Sequence, residues 1–194
     1  MPGDAELIVS VGNLVSGKRH HLLIEAFSRI ARDRPRARLA ILGGVSFEAA
    51  YPEQLEQQVR ALDLVSRVRF AGNVQSAEVA RWLHAADLFA LATEREGCCN
   101  AVLEALSCGV PVVTTPAGDN THFVRQGVNG LLFPIDDVDA LAAALKQALS
   151  TSWDFDDISR RLLAQVGSWD HVAEKTLAFM RERREVSGAV AVST

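Results

Sequence analysis

A lysine bracketed by glycines and two spaced glutamates are the residues best suited to chemistry. The first group is Gly12-Asn13-Leu14-Val15-Ser16-Gly17-Lys18, which follows an apolar run and precedes an amphipathic one. Glycines let backbone N–H groups approach an anion, and a helix start adds partial positive charge. Lys18 would add a full charge there. The order GxxxxGK is that of a phosphate loop, but Arg19 stands where that motif needs Ser or Thr, so the usual magnesium ligand is missing. The loop does not read GxGxxG, so no dinucleotide fingerprint is present. The plain alternative is a glycine-rich turn with a solvated lysine.

The second group is Thr93-Glu94-Arg95-Glu96-Gly97-Cys98-Cys99-Asn100, continuing to Glu104. Gly97 opens a helix, with Glu96 just before it and Glu104 on its first turns. Two such carboxylates can face one ligand across the helix start. Carboxylates accept hydrogen bonds from sugar hydroxyls, and the free N–H groups of the helix start suit a phosphate. The alternative is that Glu94 and Glu96 are solvated loop charges and that Glu104 pairs with an arginine.

Other candidates read more simply. His20-His21 has no Cys or carboxylate partner at metal-ligand spacing and is expected at the surface. Asp136-Asp137-Val138-Asp139 precedes a helix and reads as an N-cap with dipole complement, not as a metal site. Cys98-Cys99 lies near a helix start that would lower a thiol pKa, but no His or Asn partner is indicated for a nucleophile. Lys18 to Arg36 carries six cations against Glu25 and Asp33 and reads as a solvated helix face.

The elements that must position these groups alternate between strand and helix. Apolar runs at Glu6 to Gly12, Ala37 to Leu42, Val68 to Ala71, Asp87 to Ala92, Val110 to Thr114 and Gly130 to Phe133 read as buried strands. Helical patterns lie between them. They cover Lys18 to Arg34, Tyr51 to Leu64, Ser76 to Ala85 with Ser76 as N-cap, Asn100 to Ser107, and a short Asn120 to Gln126. Three more follow at Asp137 to Ser150, Asp156 to Val166 and Trp169 to Arg184, before a tail over 185–194 that is expected to fray. The alternation predicts an α/β, Rossmann-like, doubly wound parallel sheet of about six strands with helices on both faces. In such sheets ligands sit at the carboxyl ends of the strands, where both glycine-containing loops fall. One domain over 1–194 is expected.

Composition narrows the classes. The chain has 194 residues, 48% of them hydrophobic, and 20 basic against 24 acidic side chains give a formal charge of −4. Intrinsic disorder and nucleic-acid binding through bulk charge are both disfavoured. No uncharged stretch is long enough to cross a bilayer, and the first residues lack a signal-peptide pattern. Three clustered cysteines make a poor disulfide framework, so a reducing cytoplasm is expected.

The motifs resemble a known family. Glu96-Gly-Cys-Cys-Asn-Ala-Val-Leu-Glu104 resembles the E-x7-E motif of the retaining GT-B glycosyltransferases of family GT4. Ala105-Leu-Ser-Cys-Gly-Val-Pro-Val-Val113 resembles the segment that follows it, and Gly127-Val-Asn-Gly-Leu-Leu-Phe133 resembles the family's GxNGxLx. Val11-Gly-Asn-Leu14 with Gly17-Lys18 resembles its first loop, and Ser168-Trp-Asp-His-Val-Ala173 its closing helix. Five motifs in family order cover about residues 5 to 184.

The resemblance implies the C-terminal, donor-binding half of a two-domain enzyme, with the N-terminal acceptor domain absent and the isolated half not expected to transfer sugar efficiently. It implies a nucleoside-diphosphate sugar (UDP-, GDP- or ADP-linked) as donor, no metal, no other cofactor and no nucleic-acid partner. Membrane association would be peripheral and carried by the missing domain. Glu96 and Lys18 would be the catalytic pair, Glu96 contacting the sugar hydroxyls and Lys18 neutralising the diphosphate. Glu104 would bind the ribose. Gly97, Cys98, Cys99 and Asn100 would offer backbone N–H groups, with Gly12 and Asn13 beside them. The base would lie near Gly72, Asn73 and Val74. Many members carry arginine where this chain has Asn13, and Arg19 or Arg95 are the cations available to compensate. A sugar-nucleotide epimerase of the same fold, or a binding module without catalysis, are the alternative readings.

Overall fold

The computed structural model describes residues 5–167. Six short strands form one parallel sheet: β1 (Glu6–Val11), β2 (Ala37–Leu42), β3 (Val68–Gly72), β4 (Leu88–Leu91), β5 (Val112–Thr114) and β6 (Gly130–Leu132). Their order across the sheet is β3-β2-β1-β4-β5-β6. The order reverses between β1 and β4, and that switch point opens a crevice at the carboxyl ends of the strands.

The strands are apolar on both faces because helices cover both. Leu23, Ala26, Phe27 and Ile30 recur on one side of α1 (His20–Ala31), and Leu141, Ala144, Leu145 and Ala148 on one side of α6 (Val138–Ser150). With α2 (Tyr51–Ala61) these bury Ile8, Leu39, Ile41 and Leu88. On the other face, α3 (Ser76–His84), α4 (Asn100–Ser107) and α7 (Phe155–Val166) bury Val9, Ala40, Phe89 and Val112. Asp137 and Asp154 cap α6 and α7 by accepting from Ala140 N and Asp157 N.

Several boundaries differ from the sequence reading for local reasons. Helix α1 begins at His20, because Ser16–Lys18 form a 3-10 turn and Arg19 is left-handed at φ 54°. Helix α2 stops at Ala61, just before Asp63 at φ 55°. Gln75, not Ser76, holds the N-cap position of α3, and no side chain caps it. The short helix α5 (Asn120–Phe123) closes three residues early. The helix expected over Trp169 to Arg184, the Ser168–Ala173 motif and the tail lie outside the described residues.

Candidate functional site

The loops after β1 and β4 meet across the switch point. The stem of Lys18 lies over Gly12, where an added Cβ would sit 3.6 Å from its Cδ. Its ammonium donates to Glu96 Oε2 at 2.6 Å, with the side chains 25% and 8% exposed respectively. Glu96 is therefore not a solvated loop charge. Buried Thr93 supports it, its hydroxyl lying 3.2 Å from Glu96 Oε2 and 2.7 Å from the Arg95 carbonyl. Glu94 is also paired, 2.7 Å from the Arg19 guanidinium.

Glycines let these loops approach. An added Cβ on Gly43 would lie 1.9 Å from the Gly12 carbonyl oxygen, and one on Gly118 would lie 2.1 Å from that of Glu96. Asn73 packs beside Gly44, so the β3 loop joins the same end of the sheet. Asn13 is exposed and Val74 half-buried there. Behind the rim, Thr115 donates to the Thr93 carbonyl at 2.6 Å, and Asn120 donates to Thr114 Oγ1 and the Thr115 carbonyl. This buried polar ladder fixes the ends of β4 and β5 relative to one another.

Helix α4 starts beside Glu96. Among the described residues, the backbone N–H groups of Gly97 and Cys98 have no protein acceptor. The exposed Cys98 thiol donates to Asn100 Oδ1 at 3.0 Å. Cys99 is buried, and that burial pushes its thiol up to about 11, which keeps it protonated near neutrality. Glu104 lies a little over one turn into α4. Its residue is exposed overall, yet neighbouring atoms shield the carboxylate enough to raise its pKa. Among the described residues no arginine or other donor engages that carboxylate, contrary to the pairing alternative.

Two further expectations change. His20 is fully buried, not at the surface. Its ring closes the back of the first loop, with Nε2 3.3 Å from the Asn13 carbonyl and Nδ1 unpartnered among the described residues. Desolvation lowers its pKa to about 4, so the ring is neutral and Nε2–H donates. The basic run is not simply solvated either: Arg34 pairs with Glu6, and Arg29 with Glu25 and Asp139.

Of the two cations that might replace an arginine at Asn13, Arg19 is held by Glu94 and Asp136. Arg95 is 91% exposed and among the described residues reaches only Glu94, at 3.8 Å. The sequence reading did not pick out Thr93, Gly43, Gly118 or Asn120. The two glycines carried a legible signal, each following a strand by one to four residues. The threonine and asparagine carried none, because polar residues at strand ends are common.

The Lys18 ammonium and the Glu96 carboxylate thus meet between the loops after β1 and β4, and the segment from Gly97 that leads into α4 carries backbone N–H groups without an acceptor among the described residues. Among the described residues no group of three His, Cys, Asp or Glu side chains could hold a metal ion, and no helix is long and apolar enough to cross a membrane.

Residues 1–165 match the profile of the family described as glycosyl transferases group 1. The chain is 34% identical to a D-inositol 3-phosphate glycosyltransferase of Kineococcus radiotolerans, over 93% of this chain and 45% of that protein. Its fold is similar to that of the sucrose-phosphate synthase of Thermosynechococcus elongatus, with a TM-score of 0.83 at 24% identity, covering 96% of this chain and 47% of that one. It is also similar to Anabaena HepE solved in complex with UDP, with a TM-score of 0.64 at 25% identity, covering 84% and 49%. The chain thus spans under half the length of each of these proteins.

Proposed function

The chain belongs to the glycosyl transferases group 1 family, and from that premise we propose that it is the nucleotide-sugar-binding half of a retaining hexosyltransferase. The observation that carries this reading is the Lys18–Glu96 contact across the β1/β4 switch point, beside the Gly97 and Cys98 N–H groups of the loop that leads into α4, which have no acceptor among the described residues. A nucleoside-diphosphate sugar presents three features to such a rim. The diphosphate meets Lys18 and the N–H groups of Gly97 and Cys98, with Cys99 and Asn100 continuing the helix start and Gly12 and Asn13 facing them. The sugar hydroxyls meet Glu96. The ribose hydroxyls meet Glu104, whose partly shielded carboxylate, without a donor among the described residues, suits two hydroxyl donors. The base lies toward Asn73 and Val74.

The chemistry follows from charge. Breaking the glycosidic bond to the nucleotide leaves negative charge on the diphosphate. Fixed donors there lower the barrier without a metal. In this reading Lys18 does the work of cation, and Asn13 contributes a backbone N–H at the position where the family resemblance implies an arginine. The acceptor and a second domain to hold it would come from the rest of a full-length enzyme. That enzyme would act in the cytoplasm, with any membrane contact made through the second domain. The half described here is expected to bind donor and to transfer sugar poorly by itself.

Calorimetric titration with UDP, GDP and ADP, then with their sugar conjugates, tests the reading. UDP comes first, because a similar fold is known in complex with it. One diphosphate is expected to bind, and more tightly with its sugar. Glu104→Ala should weaken that binding by about 1–3 kcal/mol, the range for losing charge-assisted hydrogen bonds. Unchanged affinity in the folded variant would remove Glu104 from the site.

A further inference from the structure

Arg19 stands out on two independent counts. It is one of three non-glycine residues with positive φ among the described residues, at φ 54°, and Asp136 is another, at φ 60°. Left-handed backbone is unfavourable for a long side chain such as that of Arg19, less so for an aspartate, and persists where the surroundings over-determine it. These two left-handed residues are also partners: Arg19 Nε donates to Asp136 Oδ1 at 2.8 Å, and its terminal nitrogen lies 3.4 Å from Oδ2. The same nitrogen reaches Glu94 Oε2 at 2.7 Å. One guanidinium therefore ties together the loops after β1, β4 and β6.

The connection runs on to the site. Glu94 N donates to the Gly17 carbonyl at 3.0 Å, so the β1 and β4 loops are joined by backbone as well as by side chains. Lys18 precedes Arg19, and Glu96 follows Glu94 by two. The pairs Arg19–Glu94 and Lys18–Glu96 are thus two adjacent rungs between the same two loops. The outer rung is the more exposed one and is anchored to a third loop through Asp136. A planar guanidinium with a fixed fork of donors suits this better than a lysine would.

We propose that Arg19 is a positioning residue. Its clamp on Glu94 and Asp136, held at the expense of two left-handed residues, sets the direction in which Lys18 presents its ammonium to an anionic ligand. The ligand part of this proposal rests on the donor-binding reading above; the Lys18 geometry does not.

The test uses Arg19→Gly, which keeps the left-handed turn without strain and removes the clamp together with its charge. Arg19→Lys keeps the charge but loses the fork, and Asp136→Gly removes the third-loop anchor at an equally compatible position. Two readouts are taken at a temperature where every variant is folded. The first needs no ligand: the acylation rate of Lys18, resolved by mass spectrometry against Lys146 in the same chain. It should rise severalfold in Arg19→Gly and Asp136→Gly, with Arg19→Lys between them and the wild type. The second is UDP affinity, which should fall roughly tenfold in Arg19→Gly, with uridine affinity unmoved. A clamp that only stabilises the fold would lower the melting temperature and change neither readout. Unchanged Lys18 labelling overturns the proposal, as does unchanged UDP affinity where the wild type binds UDP. A wild type that binds none of the three diphosphates counts against the donor-binding reading, and the labelling result then decides the role of Arg19.

Discussion

Lys18 and Glu96 form the central pair of this site, and its energetics depend on how far each is removed from water. Glu96 is 8% exposed and Lys18 25%, so the pair lies between a surface ion pair of little worth and a buried one that is costly to break. Removing the lysine alone leaves a shielded carboxylate whose remaining partner among the described residues is Thr93. We therefore expect Lys18→Ala to destabilise the ligand-free protein by about 1–2 kcal/mol. The double variant Lys18→Ala/Glu96→Gln should recover part of that loss. Urea denaturation of the wild type, both single variants and the double variant gives the coupling directly. An additive result would mean that the contact contributes nothing to the resting protein. In binding, the same Lys18→Ala change should cost affinity for a nucleoside diphosphate and leave the nucleoside untouched. Equal loss for both would make the lysine structural. The cysteines behave oppositely to a thiol pair built for catalysis. Cys99 is buried with a raised pKa, and Cys98 is exposed with its thiol donating to the Asn100 side-chain carbonyl.

At the scale of elements, the site depends on how closely the loops pass one another. Gly118 is the sharpest case. It follows β5, has φ 53°, and lies so near the Glu96 backbone that a Cβ would sit 2.1 Å from the Glu96 carbonyl oxygen. Both the dihedral and the contact oppose any side chain, and the obstructing atom is backbone, which cannot swing aside. Gly118→Ala should lower stability by roughly 2 kcal/mol, from left-handed strain together with the clash. It should also displace Glu96 and so weaken sugar-dependent binding more than binding of the diphosphate alone. A variant of wild-type stability would show that the β5 loop yields more easily than its packing implies. Element types were legible in the sequence because the strands are continuous apolar runs and the helices carry a 3.6-residue apolar stripe. Asn100–Ser107 was read to the residue, since Gly97 and Gly109 bracket it. Boundaries moved where a left-handed residue intervened. Arg19 carries no sequence mark of that conformation, which favours glycine, asparagine and aspartate, and one aspartate among many, Asp63, does not stand out.

For the whole molecule, the alternation of strands and helices implied the doubly wound sheet, and the carboxyl-end rule pointed to the loops that meet at the β1/β4 switch point. What stayed illegible was set by contacts between distant segments. The burial of His20 is the clearest instance. A histidine after a lysine and an arginine reads as surface, yet here the α1 start and the first loop close over it. That burial gives the fold a pH dependence whose sign can be worked out. The ordinary histidine pKa is 6.5, and in the folded protein His20 is lowered to about 4. Between those values the unfolded chain binds a proton that the folded chain refuses, so stability rises with pH. The contribution is complete above about pH 6.5 and is lost as pH falls toward 4, amounting to about 3 kcal/mol across the window. His20→Gln keeps an N–H donor for the Asn13 carbonyl and cannot titrate. Urea denaturation of both proteins at neutral pH and at steps down to pH 4 should show the wild type losing about 3 kcal/mol more than the variant. Parallel losses would mean that the buried ring is protonated as readily in the folded chain as in the unfolded one.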